Sequence, residues 1–221
     1  MGRWGFLISF EGVEGSGKTT LAKGLYNRFL EEGFKTVFTR EPGGTRVGER
    51  IRSILLERDF PLDPWAEALL LIAARRENVK EVIYPALADG HIVITDRFSD
   101  STFAYQGYGR GLPLKPLSRV NKIGTNGLKP NLTFLVDLPV EVGLSRIEGR
   151  ELDTIEREEL KFHQRVREGY LKLARRAKKR FYVLDGTRKR EELIEEVYNV
   201  SIAHLEQKGG LNKYRKKEVI R

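Results

Sequence analysis

The sequence predicts an α/β fold built on a five-stranded parallel sheet flanked by helices. Short apolar runs alternate with segments of helical period, the pattern of βαβ units. The runs are apolar throughout, as strands covered on both faces are. A Gly-rich turn joins the first run to the first helix, and carboxylates close several runs, at the sheet edge where open parallel sheets bind ligands.

Taken in order, Phe6 to Phe10 forms the first strand and Gly12 to Gly17 the Gly-rich turn. Leu21, Leu25, Phe29 and Leu30 set a helical period over the following segment, which Gly33 stops. Lys35 to Thr39 reads as the second strand, closed by Glu41-Pro42-Gly43-Gly44. Helices are expected over 46–57 and, as one long segment, 64–88. His91 to Thr95 is the third strand, Thr133 to Val136 the fourth and Phe181 to Leu184 the fifth. The last helix runs over 190–208. No repeat or Pro/Ser-rich linker interrupts the series, so residues 1–207 are expected to be one domain. Residues 208–221 form a basic tail in which Gly209-Gly210 reads as a break, leaving a flexible end.

At 221 residues the chain is long enough to bury a core without staples. Its longest apolar run is the seven residues from Ala68 to Ala74, against about 18 for a membrane span. Met1 leads almost directly into the first strand, so no leader is expected. Phe6 stands where an N-myristoylation motif needs Ser or Thr. With no cysteine, disulfides, thiolate metal sites and thiol catalysis are excluded, which suits the cytoplasm. The three histidines, His91, His163 and His204, lack ligand spacing, so no structural metal is indicated. The net charge of +9 is concentrated in Lys172 to Arg180 and in the tail, leaving the body near neutral. Nucleic-acid binders spread such charge over a face with interleaved aromatics, so nucleic acid is not the expected partner.

Gly12-Val13-Glu14-Gly15-Ser16-Gly17-Lys18-Thr19 matches G-x-x-x-x-G-K-[ST] between a strand and a helix, the context that makes it a phosphate-binding P-loop. Its amides and the helix N-terminus receive phosphate. Lys18 reaches the β- and γ-phosphates, and the Thr19 hydroxyl holds Mg²⁺. This assigns binding of a nucleoside triphosphate. Asn121-Lys122-Ile123-Gly124 lacks the carboxylate that reads guanine in GTPases. The third strand ends in Asp96-Arg97 rather than the Asp-Glu of a motor ATPase. Asp96 can support the Mg²⁺ shell while Arg97 meets a second anionic substrate.

Three motifs in order, Glu11 to Thr20, Arg40-Glu41-Pro42-Gly43-Gly44-Thr45, and Asp96-Arg97-Phe98 followed by Ser101 and Ala104-Tyr105-Gln106, resemble the thymidylate kinases, P-loop nucleoside monophosphate kinases. The resemblance runs from about Phe6 to Thr187. It implies transfer of phosphate from ATP to dTMP with Mg²⁺, usually in a homodimer. By position, it implies that Arg52 and Arg97 hold the dTMP phosphate, with Arg97 close to the transferred group. Arg75 contacts the thymine edge, Ser101 and Gln106 the base and sugar, and Tyr105 crowds the sugar 2′ position. Glu14 sits near the sugar 3′-OH and the metal, and Thr20 belongs to the P-loop. No arginine stands within the P-loop. Leu144 to Asp153 resembles the mobile lid, about 146–156, that supplies a catalytic arginine instead, with Arg146 and Arg150 as the candidates. Leu71 replaces a Phe that stacks on thymine in many relatives. Broader deoxynucleotide acceptors such as dUMP therefore stay open, as does, in another class, a P-loop switch or nucleic-acid-binding ATPase.

Overall fold

A computed structural model describes residues 4–57, 60–149 and 151–216. Five strands, β1 (Phe6–Glu11), β2 (Thr36–Arg40), β3 (Ile92–Asp96), β4 (Leu132–Asp137) and β5 (Phe181–Asp185), form one all-parallel sheet in the order β2-β3-β1-β4-β5. The central strand β1 pairs with β3 through Phe10↔Asp96 and with β4 through Glu11↔Leu135. The chemistry-bearing carboxyl ends of β1 and β3 are therefore immediate neighbours.

Alternation along β1 explains its unbroken apolar character. Phe6, Ile8 and Phe10 face α1 (Lys18–Glu31) and α9 (Arg190–Gln207), packing among Leu21, Leu25, Phe29 and Val197. Leu7 points the other way, into a cluster with Val79, Ile83 and Phe98. Further along that face, Val13 and Leu135 meet Phe162, Val166 and Tyr170 of α8 (Leu160–Arg176). Strand side chains have a period of two, so a strand covered on both sides must be apolar at every position.

Local chemistry sets the helix starts nearest the cleft. The Thr45 hydroxyl accepts from Gly48 N at 3.0 Å and caps α2 (Arg46–Leu56). Asp63 accepts from Trp65 N at 2.8 Å and Ala66 N at 3.2 Å, with Pro64 as the first residue of α3 (Pro64–Asn78). The long helix expected over 64–88 is not uniform. A π-helical segment over Val79–Ile83 separates α3 from α4 (Tyr84–Ala88). Pro85 has no N–H for an α-helical bond, and the chain widens one turn ahead of it. A second such segment, Phe103–Gly109, follows the short α5 (Ser99–Thr102) and carries Tyr105 and Gln106. The set is completed by α6 (Leu114–Thr125) and α7 (Val140–Ser145).

The basic tail departs from the expectation over its first half. A 3₁₀ turn over Leu211–Lys213 leads Tyr214 into the core, where it is 1% exposed and lies 6.4 Å from Phe6, ring to ring. Arg215 forms an antiparallel bridge with Phe34 and covers its ring. Lys35 N donates to Tyr214 O at 2.8 Å, and Lys216 N to Gly33 O at 2.9 Å. One aromatic among lysines outweighs the charge pattern because its burial is large and the cations stay solvated. Residues 217–221 lie outside the described residues. Tyr214→Ala is expected to cost about 3 kcal/mol and lower Tm by roughly 6–12 °C. The kcat of the folded fraction should stay unchanged, since Tyr214 is remote from the cleft; melting curves and kinetics on one preparation check both.

Candidate active site

The carboxyl ends of β1 and β3 open into a cleft of 810 Å³. Its triphosphate end is the loop between β1 and α1. Gly15 has φ 66° and Gly17 φ 87°, left-handed values that favour glycine. Gly15 also lies against α7, where a Cβ would stand 1.8 Å from Gly143 O. Gly143 answers in kind, with a Cβ there 2.3 Å from Glu14 O, so loop and helix interlock through bare backbone. Lys18 is buried, and its Nζ donates to Val13 O at 3.3 Å. Burial first, and the nearby Arg97 second, push the Lys18 pKa down against the pull of Glu14 and Asp96.

Thr19 and Asp96 stand together, the hydroxyl donating to Asp96 Oδ2 at 2.5 Å. Asp96 Oδ1 is buried without a hydrogen-bond partner among the described residues. A hydroxyl beside an unsatisfied carboxylate oxygen is a hard-oxygen pair that fits Mg²⁺, which takes few protein ligands and completes its shell with water and phosphate. No cluster of three or more His, Cys, Asp or Glu side chains that could hold a metal ion occurs among the described residues.

Arg97 is the hub of the cleft. It follows β3 in a left-handed conformation, φ 70°, which is strained for a residue with a Cβ. Its Nη1 donates to Gly12 O at 3.2 Å and Tyr170 OH at 3.1 Å. Its Nη2 donates to Glu14 Oε1 at 2.8 Å and Tyr105 OH at 3.0 Å. Burial alone would lower the Arg97 pKa, but Tyr105 and Glu14 outweigh it and hold the pKa well above its usual range. Burial likewise tends to raise Glu14, yet Arg97 and Lys18 prevail and keep its carboxyl below the ordinary carboxylate value. Tyr105 donates to Glu14 Oε2.

The far end of the cleft is built for a flat polar edge. Arg75 is 2% exposed and paired with Glu41 at 2.6 Å. It also donates to Thr102 Oγ1 at 2.8 Å, Asn121 Oδ1 at 2.7 Å and Phe98 O at 3.1 Å. These four bonds leave one N–H of a five-donor guanidinium. Burial raises the Glu41 pKa despite that pairing. Gln106 Nε2 donates to Glu67 Oε1 at 2.8 Å, which orients the amide so that its buried Oε1 has no partner among the described residues. Arg75 and Gln106 both line the cleft, as does Leu71.

Arg52 lines the middle, its Nη1 donating to Pro42 O at 3.0 Å. Burial and the neighbouring Arg40 push its pKa down, the mark of cations gathered without enough counter-charge. Above the cleft, Asp153, Ile155 and Glu156 form a roof, and Thr154 ties it to the end of α2 by N and Oγ1 bonds to Leu56 O at 3.1 and 2.9 Å. Arg146 lies over the P-loop, donating to Gly15 O at 3.4 Å and to Gly186 O at 3.1 Å in the loop after β5. Arg150 lies outside the described residues.

Glu14, Arg52, Leu71, Arg75, Arg97, Ser101, Tyr105 and Gln106 all line this cleft, together with Gly15, Gly17, Lys18, Thr19, Thr20, Asp96 and Arg146. Gly12, Val13 and Ser16 belong to the loop but are not among the residues that line the cleft. Asp137, at the end of β4, is taken by Arg167 in a paired contact of 2.7 and 3.0 Å.

Sequence reasoning passes over the buried layer beneath. Glu11 accepts from Phe98 N at 2.8 Å, Ser101 Oγ at 2.6 Å and Tyr170 OH at 3.0 Å. A carboxylate closing an otherwise apolar strand is the one local signal that could have exposed it. Burial and the adjacent Asp100 raise the Glu11 pKa from 4.5 to about 8. Across that window the folded chain binds a proton that the unfolded chain releases, so stability falls as pH rises from 4.5 to 8. Replacing Glu11 by Gln is expected to flatten that part of the Tm–pH curve relative to wild type. Parallel slopes would contradict the assignment.

The model of the family described as "Thymidylate kinase" matches residues 10–197. Curated relatives include the thymidylate kinase of Carboxydothermus hydrogenoformans, 52% identical over 194 residues, covering 87% of this chain and 95% of the relative. That of Geotalea daltonii is 51% identical over 191 residues, covering 82% and 89%. That of Sulfurihydrogenibium sp. is 44% identical over 205 residues, covering 92% and 98%. With most of its length matched, a parallel sheet carrying a P-loop, and the arginines gathered on one cleft, the chain belongs to the thymidylate kinase family.

Proposed function

We propose that the chain transfers the γ-phosphoryl group of ATP to dTMP, giving ADP and dTDP. The observation that carries the acceptor's identity is that two residues lining the cleft each keep a polar group unused among the described residues, Arg75 one N–H donor and Gln106 its Oε1 acceptor. A thymine edge offers the complement, the O4 acceptor beside the N3–H donor. Cytosine presents the reverse at these positions and would leave both protein groups unpaired, which costs far more than a lost methyl contact.

In this reading a dTMP phosphate oxygen attacks the γ-phosphorus and ADP departs. The P-loop amides and Lys18 hold the donor phosphates, and Arg52 and Arg97 hold the acceptor phosphate. Thr19 and Asp96 would hold Mg²⁺, which when bound offsets the charge of the β- and γ-phosphates. Catalysis is positioning and charge compensation, and the roof of the cleft excludes water. Tyr105 is read as the residue that crowds the sugar 2′ position, a role supported by its fixed placement between Glu14 and Arg97. Between the two lid candidates we read Arg150 as the arginine for the transferred phosphoryl, a reading supported by the contacts that tie Arg146 to Gly15 O and Gly186 O. We assign the enzyme to the cytoplasm and to a homodimer. The adjacent helices α3 and α6 turn Leu69 and Ile123 outward at 51% and 74% exposure, an apolar face that a second copy would cover. No helix among the described residues is long and apolar enough to cross a membrane.

Uracil presents the same edge as thymine, so dUMP is the second reading, separated by the C5 methyl against Leu71. One such contact discriminates by roughly tenfold to 200-fold. An ADP-release assay with Mg²⁺-ATP and dTMP, dUMP, ribo-TMP, dCMP or no acceptor tests this. The reading expects strong turnover with dTMP, weaker with dUMP and almost none with dCMP or ribo-TMP. Equal rates across the panel, or release without acceptor, would overturn it.

A further inference from the structure

His163 stands in the first turn of α8, 0% exposed, and neither ring nitrogen has a hydrogen-bond partner among the described residues. In either neutral tautomer, and in the cation, an imidazole carries at least one N–H. A buried donor left unpaired is costly, so such a group in a native site needs an acceptor in some state of the protein. A carboxylate in reach is Glu14, whose Oε2 is 3.8 Å from His163 Nδ1, just beyond hydrogen-bond distance.

Glu14 is held off that contact by its other partners. Arg97 Nη2 binds Oε1 at 2.8 Å, and the Tyr105 hydroxyl binds Oε2. Arg97 is also the cation read above as a ligand of the acceptor phosphate. Guanidinium donors point in fixed directions, so those turned to a phosphate are withdrawn from the carboxylate. Glu14 would then be a buried anion that has lost its main cationic partner. A carboxylate has about four acceptor positions, so Oε2 can keep Tyr105 and take a second donor.

We propose that His163 is a positioning residue for Glu14. When substrate phosphate draws Arg97 away, Glu14 moves by about an ångström and accepts a hydrogen bond from His163 Nδ1. The exchange keeps Tyr105 fixed and the carboxylate directed into the cleft while Arg97 is freed for phosphate. The proposal rests on the reading of Arg97 as a phosphate ligand. It assigns a task to a histidine with neither metal-ligand spacing nor an opening to the cleft.

The test compares H163F, H163N, E14Q and the double variant E14Q/H163F by steady-state kinetics with dTMP and by melting. Phe fills the ring space without an N–H, whereas Asn places an amide nitrogen near the position of Nδ1. A hydrogen bond to a charged group is worth roughly tenfold or more in an equilibrium. H163F is expected to lose about tenfold in kcat with Tm held, and H163N to recover to within about threefold of wild type. In the E14Q background H163F should add less than twofold, since both act on one contact. In addition, ¹⁵N NMR should show the His163 Nδ1 resonance of wild type moving when dTMP is added, and staying still in E14Q. A kcat for H163F within twofold of wild type, losses that multiply in the double variant, or a dTMP-independent Nδ1 resonance would each overturn the proposal. Wild-type turnover of dTMP in the same assay keeps its failure distinct from failure of the functional reading.

Discussion

Arg97→Ala is expected to lower kcat by about 10³-fold, the scale seen when an arginine is withdrawn from a transferring phosphoryl group. The geometry behind this number is unusual in two respects. The side chain crosses the cleft to five different partners, so its position is set by Gly12, Ser101, Tyr170, Glu14 and Tyr105 together. Its backbone sits at φ 70°, a conformation that costs on the order of 1–3 kcal/mol for a residue with a Cβ. The fold carries that strain to place one guanidinium. Arg97→Lys should restore little, because an ammonium cannot bind phosphate through a planar fork while also reaching Tyr105. Arg97→Gly separates the two effects. It relieves the backbone and should melt above Arg97→Ala, yet it should be equally slow. Single-turnover kinetics beside melting curves would check both, and a kcat for Arg97→Ala within tenfold of wild type would remove Arg97 from the phosphoryl-transfer step.

Gly15→Ala is expected to abolish tight nucleotide binding, raising the dissociation constant for ATP more than 100-fold and lowering Tm. Two costs combine at this position. The left-handed φ of 66° penalises any Cβ by about 1 kcal/mol. The methyl would also stand 1.8 Å from Gly143 O, and neither backbone can yield without moving the P-loop or α7. A displaced loop no longer aims its amides at phosphate, and since those amides act as a set, a small shift weakens all of them. Gly17→Ala is the matched control. It too has a left-handed φ, 87°, but nothing lies within 4 Å of its Cβ. It should pay the conformational cost alone and keep ATP binding within about tenfold. Calorimetric titration of both variants would decide; equal losses would mean that contact with α7 is not what fixes the loop.

Sequence period and local motif made the sheet, the P-loop and the Asp96-Arg97 strand end legible, because those features are local, whereas Arg52 and Arg75 were reached only through the family resemblance. Phe6 to Phe10 alternates onto two covered faces, and the Gly-rich turn follows at once. What stayed hidden depends on partners far apart in the chain. Glu11 meets Ser101 and Tyr170 across separations of 90 and 159 residues, pairings that only the strand order creates. His163 reaches Glu14 in the same way. The π-helical segments left no periodic trace, although one of them turns Tyr105 and Gln106 into the cleft. In the tail, charge count masked Tyr214, since a single aromatic contributes little to composition and much to burial.

That buried tyrosine also bears on how the protein is made. Phe6, on the central strand, is synthesised well before its ring neighbour Tyr214. At ribosomal speeds of about 5–20 residues per second, the two are separated by roughly 10–40 s. Throughout that interval the Phe6 side of β1 lacks the ring that covers it in the finished fold. Final closure is thus a step completed after elongation has passed Lys216. A chain that stops short of Tyr214 would leave the Phe6 ring without this neighbour, whereas a tag joined after Lys216 keeps the contact.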